Sequence, residues 1–263
     1  MSDFDRNAAT AQYGRPLTRA EAAVVDEGLR AYMLRVYNYM VLGLAITGVA
    51  ALGIYMLSVT TDPALAVAKV RNIMLTNVGY ALFVSPLKWA IILAPLALVF
   101  FLSFRIERMR PATAQITFWI YAAMVGISLG VIFLVYTHTS VVRVFFITAA
   151  SFGALSLWGY TTQRDLSGMG SFLIMGLFGI IIASLVNIFL ASTALQWVIS
   201  VLGVLIFAGL TAWDTQRLKS EYIYGSMEGD VLERSAIMGA LSLYLDFLNL
   251  FTFLLQLMGS REE

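Results

Sequence analysis

Seven near-continuous apolar runs fill this chain and constrain its fold more than any other feature. Each is close to the ~20 residues that a helix needs to cross ~30 Å of hydrocarbon. The alternating pattern of a transmembrane β-barrel is absent. We therefore predict an all-α integral membrane protein with seven transmembrane helices. The runs cover residues 33–57, 82–104, 113–136, 141–160, 171–190, 195–213 and 236–258.

The composition supports a lipid environment. The chain is 60% hydrophobic and 13% charged, and its mean hydropathy is +0.82. A soluble domain carries about 25% charged residues. The sequence has no cysteine, which excludes disulfides, thiolate metal sites and thiol catalysis. A net charge of +1 gives no support to a nucleic-acid surface.

The chain divides into an N-terminal arm, residues 1–31, and a transmembrane domain, residues 32–263. Pro16 and the capping-box pattern Thr18-x-x-Glu21 predict a short juxtamembrane helix that leads into the first span. With the N-terminus inside, 12 of the 17 Lys and Arg residues fall in cytoplasmic segments, so we expect a cytoplasmic N-terminus. Seven full crossings would place the C-terminus outside, whereas a re-entrant last helix would return it inside.

The last apolar run carries a stripe of mostly polar or small residues at alternating spacings of four and three. This spacing puts them on one helix face. Unsatisfied polar groups in lipid cost several kcal/mol each, so the stripe must face other helices or water. We predict a central seventh helix with six around it. The stripe comprises Ser235, Gly239, Ser242, Asp246, Asn249, Phe253 and Gln256.

Asp246 is the strongest single pointer to function. An aspartate at the centre of a membrane helix costs about 3 kcal/mol on insertion scales, so it is a functional-site hypothesis by default. Ser242 and Asn249 are also candidates for lining an ion path, although residues of this kind equally serve as a packing seam between spans.

Asp214 closes the sixth run and has two interpretations. It is either an ordinary interfacial acid paired with Arg217 at i+3, or the partner of Asp246. Two carboxyl groups in a low-dielectric site cannot both ionise easily, so such a pair would share a proton, sense pH and meet a divalent cation.

The depths of these two aspartates differ. Asp214 stands at the end of its run and Asp246 near the middle, a mismatch of about ten residues or ~15 Å. They can meet only if the seventh helix is displaced toward the cytoplasm or if the sixth helix continues past Asp214.

Further candidates stand at other span ends. Asp165 is either a solvated helix-end ion or part of a cytoplasmic vestibule. Arg105 either extends to the lipid headgroups or turns inward to a carboxylate. We expect Asn187 to form a hydrogen bond between helices, and Gly126-x-x-x-Gly130 to serve helix packing within the chain.

Three segments resemble the Bax-inhibitor family, also called the transmembrane Bax inhibitor motif proteins. They are residues 159–166 (Gly-Tyr-Thr-Thr-Gln-Arg-Asp-Leu), residues 214–216 (Asp-Thr-Gln) and residues 243–251 (Leu-Tyr-Leu-Asp-Phe-Leu-Asn-Leu-Phe). The resemblance implies a central seventh helix wrapped by six others. It also implies a pH-sensitive calcium leak governed by an aspartate pair, which maps onto Asp214 and Asp246. A latching arginine on helix two matches Arg105 by position, with Arg108 as a competitor.

The resemblance is incomplete, since the family often has Tyr where this chain has Trp213. The resemblance also implies that bacterial relatives restrain a membrane-bound ATP-dependent protease. We therefore expect a calcium leak in a bacterial inner membrane, with no tightly bound cofactor, weak calcium contacts at the two aspartates and no enzyme activity. The alternative is a regulator of such a protease. An intramembrane aspartyl protease is disfavoured because no Gly-x-Gly-Asp context surrounds the second aspartate.

Overall fold

Seven long helices make up most of the protein. The computed structural model describes residues 19–70, 72–225 and 228–261. Within those residues, seven helices are long and apolar enough to cross a membrane. This confirms the predicted all-α membrane fold. The helices are α1 (Arg19–Ser58), α2 (Leu87–Arg105), α3 (Pro111–Leu129), α4 (His138–Thr161), α5 (Ser167–Leu190), α6 (Thr193–Gly225) and α7 (Gly229–Met258).

Three of these helices are at least about one and a half times as long as the bilayer core is thick. α1 has 40 residues, α6 has 33 and α7 has 30. At 1.5 Å per residue they span about 60, 50 and 45 Å, against ~30 Å of hydrocarbon. The predicted juxtamembrane helix is therefore the first part of α1, which runs without a break from Arg19 into the first span. Pro16 and Thr18 lie outside the described residues.

Local chemistry sets several helix ends. Pro111 occupies the first turn of α3, where the missing N–H costs nothing. α5 ends at Ala191, whose φ of 48° is left-handed and whose N–H bonds back to Asn187 O. A left-handed alanine is uncommon, since glycine usually takes this position. Short helical segments also occur at Asn77–Gly79, Tyr80–Val84 (π), Ile106–Arg108 (3₁₀) and Ile132–Val135.

A small antiparallel sheet follows α1 and was not predicted from the sequence. Its strands are β1 (Val59–Thr60), β2 (Ala68–Val70) and β3 (Ile73–Leu75), in the order β1-β3-β2. Val59 pairs with Leu75, and Ala68 pairs with the same residue from the other side.

The chain forms two compact units, one of residues 19–39 and 144–258 and the other of residues 40–143 and 259–261. In the second unit, α1 and α3 approach closely. A Cβ on Gly126 would lie 2.5 Å from Thr47 O, and Thr47 Oγ1 donates to Ala122 O at 2.9 Å. The prediction that Gly126-x-x-x-Gly130 serves packing within the chain is confirmed.

The end of the chain lies beside the connection between α3 and α4. Thr137 N donates to Ser260 O at 3.0 Å, and Ser260 N donates to Ser140 Oγ at 2.8 Å. That connection follows an odd number of crossings from the N-terminus. The contact therefore favours seven full crossings over a re-entrant last helix.

In the first unit, α7 supplies much of the core. It is the most buried of the seven: 56% of its most apolar stretch is buried, against 6 to 39% in the others. Leu243, Tyr244 and Leu250 are almost fully buried. Phe247 packs edge-on against Phe145 and Phe152 of α4. A buried helix that is apolar on most faces is what the sequence predicts for the seventh span.

Candidate functional site

The sixth helix resolves the depth mismatch between the two aspartates. α6 does not end at Asp214 but continues for about three turns, to Gly225. Asp214 therefore lies inside a helix rather than at its end. It is 5% exposed and Asp246 is 4% exposed, so both carboxyl groups are buried.

Asp214 lies near Asp246, because Ser242, one turn before Asp246 on α7, donates to Asp214. Asp214 is also one of the charged groups that act on the Asp246 carboxyl group. Among the described residues, no hydrogen-bond donor reaches Asp246 Oδ2, whereas Asp214 Oδ1 has Arg217 Nη2 beside it. Two carboxylates offer only acceptors, so a single proton held between them would turn one into the donor that the other lacks.

Arg217 and Ser242 complete the cluster around Asp214. Arg217 Nη2 lies 3.0 Å from Asp214 Oδ1, one turn further along α6. Ser242 of α7 donates its hydroxyl to Asp214 Oδ2 at 2.9 Å and accepts from Arg217 Nη2 at 3.2 Å. The serine thus joins the acid and the base across the two helices. The expected i+3 contact between Asp214 and Arg217 is confirmed, and the functional pairing of Asp214 with Asp246 stays a prediction.

Arg217 also connects the buried acids to the surface. Its side chain is 38% exposed, and its Nε lies 3.5 Å from Glu221 Oε1. The guanidinium sits 5.0 Å from the ring centroid of Trp213, a cation–π geometry. Trp213 departs from the family pattern, and here it supports the arginine. Its indole also packs on Gly170 of α5, where a Cβ would lie 2.2 Å from the ring.

The stripe on α7 faces α6 along most of its length. Gly239 packs on Leu218, Phe253 packs on Gly203, and Gln256 accepts from Gln196 at 2.7 Å. The partner differs at the start of α7, where the hydroxyls of Ser235 and Tyr32 of α1 are hydrogen-bonded at 2.9 Å. The prediction that the stripe faces other helices is confirmed.

Asn249 occupies the middle of this face. Its Nδ2 donates to Leu245 O of its own helix at 2.8 Å, and the side chain is half-buried. It also borders a groove shared with α5 and α6. Whether Asn249 and Ser242 line an ion path stays a prediction.

An amide cluster lies where α5, α6 and α7 meet at the far end of the stripe. Asn187 Nδ2 donates to Gln196 Oε1 at 3.2 Å, which confirms the expected interhelical role of Asn187. Ser200 Oγ donates to Gln256 Oε1 at 2.9 Å. Gln196 and Ser200 were not singled out from the sequence. Their i, i+4 spacing, which puts both polar side chains on one face of the sixth run, is the signal by which the sequence could have revealed Gln196 and Ser200.

α4 and α6 pack closely beside Asp214. A Cβ on Gly159 would lie 2.2 Å from Ala212 O, so only glycine allows this approach. The hydroxyls of Ser156 and Thr215 are 2.9 Å apart. Lys219 Nζ donates to Tyr160 O at 3.3 Å. These contacts fix the turn of α6 that carries Asp214.

Gln216 holds the connection between α4 and α5. Its Oε1 accepts from Leu166 N at 2.8 Å and its Nε2 donates to Arg164 O at 2.7 Å. Between those two residues lies Asp165, which is exposed. Hydrogen bonds from the side chain and the N–H of Ser167 lower the pKa of Asp165 below its usual value, so it stays ionised at neutral pH. The vestibule role of Asp165 stays a prediction, and its helix-end position is observed.

Arg105 is the last residue of α2 and is exposed. Arg108, its competitor, is exposed in the following 3₁₀ turn. Neither latch assignment is tested by these positions. The cation that the structure brings to Asp214 is Arg217.

Within residues 19–70, 72–225 and 228–261, no group of three or more His, Cys, Asp or Glu side chains is placed to hold a metal ion. The Asp214–Asp246 pair offers up to four carboxylate oxygens. Ca²⁺ takes six to eight oxygen ligands, so water and backbone carbonyls would have to supply the rest.

Comparison with known proteins agrees with this architecture. The family model described as "Inhibitor of apoptosis-promoting Bax1" matches residues 29–263. That range contains all seven spans except the start of α1, and both aspartates.

The chain belongs to the Bax inhibitor-1 family.

Three bacterial relatives are similar to this chain along nearly their whole length. An uncharacterized protein of Rickettsia prowazekii is 47% identical over 94% of this chain and 96% of its own. One from Caulobacter vibrioides is 45% identical over the full length of both chains. The Escherichia coli inner membrane protein YbhL is 42% identical over 89% of this chain and 93% of its own. The Bax inhibitor-1 resemblance predicted from the sequence is confirmed, and the protein is an integral membrane protein.

Proposed function

We propose that this protein is a pH-sensitive cation leak of a bacterial inner membrane, that calcium is the ion that passes, and that the Asp214–Asp246 pair controls it. The observation that carries the proposal is the burial of two neighbouring carboxyl groups between α6 and α7, with Asp246 Oδ2 lacking a hydrogen-bond donor among the described residues. The inner-membrane location draws on the name of the Escherichia coli relative.

Protonation is the switch in this proposal. With one shared proton, the two acids attract each other and join α6 to α7. Without it, two negative charges face each other. At ~4 Å and an effective dielectric of ~20, the repulsion is about 4 kcal/mol. A change of that size shifts a two-state equilibrium by about three orders of magnitude.

The charged neighbours set the response. Arg217 is the cation on the Asp214 carboxylate, and Glu221 is an acid that competes for the arginine. A calcium ion arriving at the deprotonated pair would take the place of Arg217. Two carboxylates and water bind Ca²⁺ weakly, which suits passage rather than storage.

The test is calcium flux into proteoliposomes as a function of pH. We expect Asp246→Asn to flatten the pH dependence, because an amide pairs with Asp214 without a titrating proton. Asp230→Asn is the matched control, since Asp230 is an exposed acid at the start of the same helix, and it should keep the wild-type profile. An unaltered profile in Asp246→Asn would count against the pair and leave regulation of a membrane-bound protease as the better account.

A further inference from the structure

The polar face of α7 is interrupted at one position. Asp246 and Asn249 lie on one side of the interruption and Gln256 on the other. Phe253 stands between them on the same face. Between Asp246 and Gln256, a cation that follows the seam between α6 and α7 meets an apolar side chain on this face at Phe253.

Phe253 packs across the seam at its own level. Its ring packs on Gly203 of α6, where a Cβ would lie 2.6 Å from the ring. It also stacks on Phe207, with ring centroids 5.9 Å apart and planes at 27°. Phe207 is buried and offers no polar atom. A constriction of this kind is dry, and a hydrated ion does not cross it.

Polar groups resume immediately beyond the ring. Gln256 accepts hydrogen bonds from Gln196 and Ser200, and its own side chain is exposed. Amide and hydroxyl oxygens coordinate hard cations without a formal charge, so they bind them weakly. This end of the seam therefore suits an ion that enters or leaves.

A groove beside the ring offers it room to move. This groove is open to the surface, has a volume of about 240 Å³ and is bordered by Phe253, Phe207 and Asn249 together with aliphatic side chains of α5. A benzene ring fits a space of ~150 Å³, so the phenyl ring of Phe253 can turn toward the groove.

We propose that Phe253 is the gate of the seam between α6 and α7. The gate is closed when the Phe253 ring packs on Gly203 and Phe207, and it is open when the ring turns toward the adjacent groove. This inference rests on the proposed cation leak. It assigns the barrier to a residue that carries no charge and is separate from the acid pair.

The test uses cysteine accessibility, for which the chain is well suited because it has no native cysteine. Asn249→Cys and Gln256→Cys are made singly, in sealed membrane vesicles, with and without Phe253→Ala. The probe is a charged, membrane-impermeant methanethiosulfonate, added on the side from which Gln256→Cys reacts. We expect Asn249→Cys to react slowly with Phe253 intact and about tenfold faster, or more, in Phe253→Ala.

Three further variants keep the test decisive. Gly203→Ala should also expose Asn249→Cys, because its new methyl group displaces the Phe253 ring toward the groove. Phe253→Leu keeps a bulky apolar side chain and should leave Asn249→Cys slow. Phe253→Val replaces Phe253→Ala if the latter does not fold, which the melting temperature in detergent reports.

The proposal is overturned if Asn249→Cys reacts equally fast with Phe253 intact, or if it stays slow in both Phe253→Ala and Gly203→Ala while Gln256→Cys reacts. Labelling needs no calcium, so it separates this inference from the leak. Calcium flux that responds to pH without the labelling change refutes the gate alone. The labelling change without any calcium flux refutes the calcium leak and leaves Phe253 as a barrier to a charged solute in the seam.

Discussion

Arg217 offers a quantitative test of the acid–base cluster. Arg217→Gln removes the cation that lies 3.0 Å from Asp214 Oδ1. Coulomb's law gives about 5.5 kcal/mol for such a pair at an effective dielectric of 20 and about 1.4 kcal/mol in water. The arginine side chain is 38% exposed and the aspartate side chain 7%, so the coupling should fall between the values for exposed and for buried pairs. We expect about 2 kcal/mol.

A double-mutant cycle isolates this coupling. The four proteins are wild type, Arg217→Gln, Asp214→Asn and the double variant, each unfolded reversibly in mixed detergent micelles at neutral pH. Asp214→Asn keeps an oxygen that accepts from Ser242, so the cycle reports the charge interaction. Hydrogen bonds between membrane helices average about 0.6 kcal/mol in such cycles. A coupling of that size or smaller would show that Arg217 does not neutralise Asp214, and the description of the cluster would be wrong.

Two further predictions concern the packing around the site. Gly159→Val places a methyl group against Ala212 O and should destabilise the protein by at least about 1–3 kcal/mol, seen as a lower melting temperature in detergent. Gly153→Val on the same helix, where a Cβ meets nothing within 4 Å, is the control, and equal losses would contradict the close approach. Gln216→Ala frees Leu166 N and should raise hydrogen exchange there, by the factor that corresponds to about 1 kcal/mol. Unchanged hydrogen exchange at Leu166 N would show that the Gln216 side chain does not protect this backbone group.

The seven spans were predictable because membrane insertion depends on the length and hydropathy of each run, which are local properties. The extension of α6 past Asp214 could be given only as one of two alternatives, because the helix there leaves the apolar run and continues through Gln216 and Lys219. Hydropathy indicates where lipid lies and not where a helix ends. The strands β1 to β3 were missed because two or three residues carry no readable period.

The candidate site was predicted in part. The stripe on α7 could be read from spacing alone, because every fourth or third residue shares a face. Its partner helix could not, since Ser242 and Gln256 have no property that selects α6. The choice of a cation for Asp214 illustrates the same limit. Arg105 was suggested by the resemblance, whereas Arg217 follows from the i+3 geometry of a helix that continues past its apolar run.

Gln216 couples the connection between α4 and α5 to the position of α6 beside the two aspartates. It stands two residues from Asp214 on the same helix, and it forms hydrogen bonds with two backbone groups of that connection. A rotation of α6 that parts the carboxyl groups must either drag residues 164–166 along or release them. A protein bound to that stretch of backbone would thus sense the protonation of residues that it never touches.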